Sequence, residues 1–576
     1  MSYVIGIDLG TTNSTISFAQ IDGDSPNISE LFIPQWGPDQ KNIKLFQLPS
    51  YLLFPPEGDP KWIVGDYAKK RGAELSPRLI TSAKSWLSHA LIDRKIPFLP
   101  LGFKECEGLE PMSPVEVSAE FLKILKKGWI CSAPFEQQDL FITVPASFDP
   151  SSRNLVLEAA KLAGYPELVL IEEPLAAFYS WLEVFQTSWR EILSIDDRIL
   201  VIDIGGGTTD FTMIGLEEKE GELALIRESV GSHLLLGGDN IDLALGYYLK
   251  GKLEKEGHTI NSWQLQSLCY EGRQAKEILL GNDSPTTVSI TIHSKGSSLI
   301  GGTLNTTLSQ NEIEELLISD FFPLIALSER TQEQKALAIS KIGLPFAKDP
   351  RITAHLSTFI ARGCGGKLPT KVLFNGGTMK SLPFQRRILE LLNNWSKERS
   401  VESLPGANHD FAVSRGAAYY GYLKRKGGIR VRAGTSRSYY VGVEGAAPAV
   451  PGLPAPLHGV CIVPYGTEEG SSLSLEDETF SLMVGELVHF RFFHRETPTL
   501  RDGSIAKVGS VIDDVKDELI ELDPIVTHLN QQKAEEKMIL VKLHANVTEM
   551  GSLEFKCVAD DGQEWTLSFD LRPSSV

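Results

Sequence analysis

Apolar residues recur along this chain at two periods, and the dominant period changes near residue 425. Before that point, short Val/Ile/Leu runs such as Tyr3-Val4-Ile5-Gly6-Ile7 end in glycine-rich loops, with amphipathic helical stretches between them. One helix is announced by Ser113-Pro114-Val115-Glu116. Ser at the N-cap, Pro at the first helical position and Glu three residues after the cap together mark a helix start. Val117, Phe121, Leu122, Leu125 and Trp129 then follow at helical spacing. Beyond residue 425 the pattern is strand alternation. Ile539, Val541 and Leu543 point one way, and Trp565, Leu567, Phe569 and Leu571 repeat the arrangement, with a hairpin turn expected at Asp561-Gly562. Residues 1–425 are therefore expected to form a mixed α/β domain and 439–576 a β-sandwich-like domain. Residues 426–438 are expected to be a basic linker. From Lys424 to Arg437 there are six basic residues and no acidic one, and a Pro/Gly/Ala-rich segment follows from Gly445 to Pro456.

The α/β region contains an internal echo. Residues 5–18 and 201–213 both read strand, Asp, glycine loop, Thr-Thr, strand. Two related halves facing each other across a cleft would produce this. In Asp8-Leu9-Gly10-Thr11-Thr12-Asn13 and in Asp203-Ile204-Gly205-Gly206-Gly207-Thr208-Thr209-Asp210, glycines at a tight strand-to-strand turn let backbone N–H groups converge on an anion, and threonine hydroxyls add donors. The aspartates repel phosphate but suit Mg²⁺ held through its waters, with the metal bridging to the phosphates. A P-loop or a dinucleotide-binding loop runs from strand into helix, whereas these run from strand into strand. No G-x-x-x-x-G-K-[ST] motif occurs, and Gly365-Gly366-Lys367 is an isolated fragment. Gly376-Gly377-Thr378, after the strand Lys371–Phe374, and Leu236-Gly237-Gly238-Asp239-Asn240-Ile241-Asp242 are further candidates for the nucleotide site.

Composition narrows the partners. The net charge is −18 over 576 residues, which opposes general binding to nucleic acid or membrane phosphates. Six scattered cysteines form no C-x-x-C pair, so no zinc or redox motif is expected. The chain enters an apolar strand at once, with neither a signal-like h-region nor an apolar run of membrane-spanning length. A cytoplasmic location is the expectation.

In order along residues 1–425, these segments resemble the heat-shock protein 70 (DnaK-type) family. Ile5 to Ser14 is similar to its first phosphate hairpin, Ile142 to Phe148 to its connecting strand, and Ile171 to Ala177 to the element bearing its catalytic glutamate. Residues 203–210 are similar to its second phosphate loop. Leu236 to Asp242, Gln274-Ala275-Lys276, Asn375 to Thr378 and Asp410 to Ala418 complete the series. The resemblance implies an actin-like ATPase fold, two duplicated lobes around a nucleotide cleft, followed by the β-sandwich-like domain.

It also implies residue roles. Lys84 would contact the γ-phosphate and position the attacking water, and Glu173, rather than its neighbour Glu172, would lie near Mg²⁺ and that water. Asp8 and Asp203 would hold Mg²⁺ through water, while Thr208 and Asp210 would line the γ-phosphate. Gly10, Thr11, Thr12, Asn13, Gly205, Gly206, Gly207, Gly237, Gly238 and Asp239 would surround the phosphates of ATP or ADP. Lys276, Gly376, Gly377, Thr378, Lys380 and Asp410 would meet the nucleoside. Pro145 and Arg153 match a pair that relays nucleotide state to the substrate domain.

The chain departs from the family pattern in places. Glu277 stands where an arginine stacks on adenine, Leu280 replaces a serine, and Lys380 replaces an arginine and lacks its planar guanidinium. No counterpart is expected for the acidic, leucine-rich linker or the helical lid, and residues 313–360 are expected to match poorly. The function implied is a slow, Mg-dependent ATPase acting as a chaperone on unfolded polypeptide, with a J-domain co-chaperone and a nucleotide exchange factor as partners. A regulatory ATPase that remodels one dedicated client is the alternative. A small-molecule kinase of the same superfold is disfavoured by Lys84, Glu173 and the appended β-domain.

Overall fold

A computed structural model of the chain describes residues 2–570 except 24–25, 38–40, 57–59, 73–74, 90–91, 187, 220–221, 232–233, 282–284, 294–301, 333–343, 345, 398, 407, 428–430, 433–434, 436, 446–455, 468–469, 496–499, 501–503, 523–524, 530–537 and 549–551. It divides into two compact units, residues 1–223 with 229–430, and residues 431–576 with 224–228. Among the described residues no helix is long and apolar enough to cross a membrane.

The first unit is built twice on one plan. In one sheet, Tyr3–Asp8 pairs antiparallel with Asn13–Gln20 and parallel with Asp139–Val144, which pairs in turn with Val169–Glu172. In the other, Arg198–Ile204 pairs antiparallel with Thr209–Lys219 and parallel with Lys371–Asn375. The central strands are covered on both faces, so they read as unbroken apolar runs. Val4, Ile5 and Ile7 are fully buried, as are Ile199, Leu200, Val201 and Ile202. The echo between residues 5–18 and 201–213 is thus a duplicated strand–loop–strand unit.

The helix Ala412–Lys426 crosses the first sheet and packs on the helix Glu173–Phe185. The approach is close enough that a methyl group on Gly416 would lie 1.6 Å from the carbonyl oxygen of Ala176. Ser414 Oγ accepts a hydrogen bond from Thr15 Oγ1 at 2.9 Å and bonds Ser17 Oγ at 2.8 Å, fastening this helix to the first hairpin. Lys424, Arg425 and Lys426 form its last turn. There they oppose the negative end of the helix dipole, and Arg425 grips Asp139 at 2.6 Å. The basic run therefore begins in the last turn of this helix, and Lys426, expected to open the linker 426–438, is its final residue; residues 428–430, 433–434 and 436 lie outside the described residues.

The helix begun by Ser113 runs Pro114–Lys126 with its capping box formed, and buries Val117, Phe121, Leu122 and Leu125. Trp129 falls beyond its end and packs edge-on against Tyr3 and Phe18. Within residues 313–360, Phe321 and Phe322 enter the core of the second lobe, and Phe322 stacks on Phe384 at 4.7 Å.

The second unit is a β-sandwich. One sheet contains Ser438–Glu444, Leu457–Val463, Phe492–Arg495, Val511–Ile512 and Ile520–Glu521, and the other Ser472–Met483, Met538–Val547, Ser552–Ala559 and Glu564–Asp570. Tyr439, Val441 and Ile462 from the first meet Val541, Leu543, Phe555 and Trp565 from the second in one core. Asp561-Gly562 does turn a hairpin, with Gly562 at φ +85°. Leu571, expected to continue the buried face of the last strand, and most of the segment Gly445–Pro456 lie outside the described residues.

Candidate functional site

The two loops that carry the internal echo meet in the first unit. A methyl group on Gly206 would lie 1.8 Å from Thr12 Oγ1, so the loop tips touch only because one of them carries no side chain. Each loop is held from behind. Ser50 donates its N–H to Thr12 O at 2.9 Å and its hydroxyl to Gly10 O at 2.7 Å. On the other lobe, Gly238 N–H donates to Gly205 O at 3.0 Å and Asp239 N–H to Gly206 O at 2.7 Å. Thr378 Oγ1 also donates to Gly205 O, at 3.0 Å. The carbonyls thus point into the scaffold, and Gly237, Gly238 and Thr378 sit directly behind the second loop.

Charge concentrates beside these loops. Lys84, on the short helix Ala83–Trp86, is 4% exposed and paired through Nζ with Glu173 Oε1. It is not a solvated helix lysine. Asp8, Asp203 and Asp210 surround this pair. Burial pushes Asp8 up to about 7; Lys84 opposes the shift, Glu173 adds to it, and Thr143 donates a hydrogen bond at 3.3 Å. Asp210 is likewise pushed up to about 7, chiefly by burial, although Ser147 Oγ donates to it at 2.7 Å. Asp203 is raised well above the ordinary carboxylate range by burial and then by Glu173, with Asn375 Nδ2 donating to it at 2.7 Å. Four acids thus share one lysine. Such a group resists full ionisation until more positive charge arrives, which fits a hydrated divalent cation. Among the described residues no three acids, histidines or cysteines converge as direct metal ligands.

Glu172 and Glu173, adjacent in sequence, face different partners. Glu172 is buried and receives Arg153 Nη2 at 2.9 Å. Arg153, 1% exposed, also donates to Phe148 O and Ala146 O. It is therefore an internal ion-pair residue of the first lobe and not a surface charge.

Of the residues expected around the nucleoside, Lys276, Lys380 and Asp410 lie in ion pairs. Lys276 Nζ donates to Asp242 Oδ1 at 2.7 Å, and Lys380 pairs with Asp410, which also accepts from Gln47 Nε2 at 2.8 Å. Glu277 is exposed and Leu280 is buried. Ser50, Tyr51, Ser147, Asn375 and Arg273 escaped the sequence reading. Asn375 and Ser147 lie inside quoted motifs and had a local signal; Arg273 and Tyr51 had none.

The raised acids predict a pH dependence for the protein free of nucleotide and metal. Asp8 and Asp210 bind protons in the folded state up to about pH 7 but release them near pH 4 when unfolded. Between those limits the folded state holds more protons, so stability falls as pH rises from about 4 through about 7. Thermal melting in EDTA across pH 5–8 should show this fall, and Asp210→Asn should flatten it. An unchanged slope in the variant would contradict the burial-driven shift.

The profile of the Hsp70 protein family matches residues 4–338. Two similar relatives are chaperone protein HscA homologs. That of Colwellia psychrerythraea is 30% identical over 381 residues, covering 62% of this chain and 57% of the relative. That of Pseudoalteromonas atlantica is 32% identical over 294 residues, covering 49% and 42%. The chain thus spans about half the length of the relatives it matches. The profile covers both glycine loops, Lys84 and Glu173, and the duplicated sheets around them form the actin-like ATPase fold. This chain belongs to the Hsp70 family.

Proposed function

We propose that this chain binds ATP with Mg²⁺ between its two lobes and hydrolyses it slowly, using the cycle to bind and release polypeptide as a chaperone. The observation that carries this reading is the buried Lys84–Glu173 pair, set among Asp8, Asp203 and Asp210 beside two touching glycine loops.

The backbone N–H groups of Gly10 to Asn13 and of Gly206 to Thr208, with the hydroxyls of Thr11, Thr12 and Thr208, grip the phosphates. Gly237, Gly238 and Asp239 brace the second loop. Lys276, Gly376, Gly377, Thr378, Lys380 and Asp410 form the nucleoside side, where Lys276 and Lys380 would exchange their present carboxylate partners for ligand atoms. Asp8 and Asp203 would hold Mg²⁺ through its waters, and the ion would supply positive charge against the phosphates. Lys84 stabilises the charge that develops on the γ-phosphoryl group as water attacks and ADP leaves. Glu173 orients Lys84 and, with Asp210, the water. The products are ADP, inorganic phosphate and a proton.

The β-sandwich supports an extended polypeptide as the client, with a J-domain protein and a nucleotide exchange factor as partners in a cytoplasmic setting; the charge of −18 speaks against nucleic acid and membrane surfaces. Steady-state ATP hydrolysis with Mg²⁺, measured with and without a permanently unfolded polypeptide, tests the proposal. Stimulation by the polypeptide is expected. Hydrolysis indifferent to it would point to one dedicated client, and absence of both hydrolysis and ATP binding would sink the nucleotide reading.

A further inference from the structure

Asp203 lies near the end of the strand Arg198–Ile204, and its register partner on the parallel strand Lys371–Asn375 is Asn375. Register neighbours on adjacent strands point to the same face of a sheet. Asn375 Nδ2 donates to Asp203 Oδ2 at 2.7 Å, and the two residues are 2% and 8% exposed. The other carboxylate oxygen lies against the turn that follows. A methyl group on Gly376, which sits at φ +85°, would come within 2.6 Å of Asp203 Oδ1. Residues 375 and 376 thus bound both oxygens. Asn375 Oδ1 is buried and has no hydrogen-bond partner among the described residues. Turning the amide over would set oxygen against oxygen, so Asp203 alone fixes its orientation.

The duplicated plan repeats this contact. Asp8, the equivalent acid of the first lobe, is in register with Thr143 on the parallel strand Asp139–Val144, and Thr143 Oγ1 donates to Asp8 Oδ1 at 3.3 Å. Each acid assigned to the metal therefore receives one donor from the same place in its own sheet. Such a donor occupies one lone pair and fixes the direction of those that remain. Thr378, three residues after Asn375, donates to Gly205 O. One short segment therefore braces both the acid and the second glycine loop.

We infer that Asn375 is a positioning residue for the metal, holding the Asp203 carboxylate in the orientation that accepts from the waters of Mg²⁺. This rests on the nucleotide reading proposed above. Losing an outer-shell partner of this kind weakens metal binding by about tenfold or more.

The test is the free Mg²⁺ concentration at which binding of a fluorescent ADP analogue to the full chain is half-complete, read by anisotropy. The affinity for the same analogue in EDTA is measured alongside. Asn375→Leu keeps the volume and removes the donor. It should raise the Mg²⁺ requirement about tenfold and leave the affinity in EDTA within twofold of the wild type. Asn375→Ala removes the same donor without bulk and should match it. Asn375→Thr copies the first lobe and should recover most of the loss. A Mg²⁺ requirement within twofold of the wild type in the leucine and alanine variants would overturn the inference. So would an equal loss of affinity in EDTA, which marks a damaged pocket, or a threonine variant as impaired as the other two. A wild-type chain that does not bind the analogue, or binds it without regard to Mg²⁺, would instead overturn the nucleotide reading itself.

Discussion

Glu173→Gln is expected to slow single-turnover hydrolysis of bound ATP by about 10²–10⁴-fold, the range for losing a positioned acid or base, while ATP still binds. The amide keeps the shape of the carboxylate and can still accept from Lys84, so the change is one of charge. In the wild type that carboxylate holds the ammonium of a lysine that is 4% exposed. It also raises Asp8, Asp203 and Asp210, each of which feels its charge. Removing it should lower all three toward the ordinary carboxylate range and move the pH profile of any residual activity to lower pH. Rapid-quench measurement of the preformed complex separates this from weakened binding. A variant that hydrolyses within threefold of the wild type would remove Glu173 from the chemistry and leave it as a structural partner of Lys84.

Arg153→Met should carry the largest stability cost near the cleft. Arg153 and Glu172 are 1% and 3% exposed, and breaking a buried pair from one side leaves a charge without compensation, at about 3–5 kcal/mol. The backbone acceptors Phe148 O and Ala146 O lose a donor as well. For a unit of this size that corresponds to a fall on the order of 5 °C in the thermal midpoint. Arg153→Met combined with Glu172→Gln should recover a large part of the loss, because the orphaned charge is then gone. A double variant no more stable than Arg153→Met would mean that the arginine acts through packing and its carbonyl contacts, not through the ion pair. Because Glu172 immediately precedes Glu173, the two predictions also separate neighbouring roles: one acid fixes the strand end, the other faces the lysine.

The differences between expectation and structure have local physical causes. Lys426 reads as the first residue of a basic linker, yet it closes a helix, which tolerates basic residues best in its last turn. Trp129 sits at helical spacing after Leu125, but the helix ends at Lys126 and the ring is held by Tyr3 and Phe18 from two paired strands far away in sequence. Arg153 and Lys84 are both long cations on helices whose local patterns suit solvent equally well. Their burial depends on where Glu172 and Glu173 are placed by the strand Val169–Glu172, and no window around either cation contains that information.

What the sequence determined by itself is what short-range physics encodes. The apolar runs define the strands, the Ser113 signature starts its helix, the repeated Asp–glycine–Thr-Thr pattern places two anion-suited loops, and period-two alternation marks the β-sandwich. What only the tertiary structure decided is which charges share one low-dielectric volume. Lys84, Glu173, Asp8 and the pair Asp203 and Asp210 come from four separate segments, and Arg273 reaches Tyr51 across 222 positions of chain. Their pairing follows from closing two lobes around one cleft, a long-range event in which burial makes each charge depend on partners that sequence spacing cannot name.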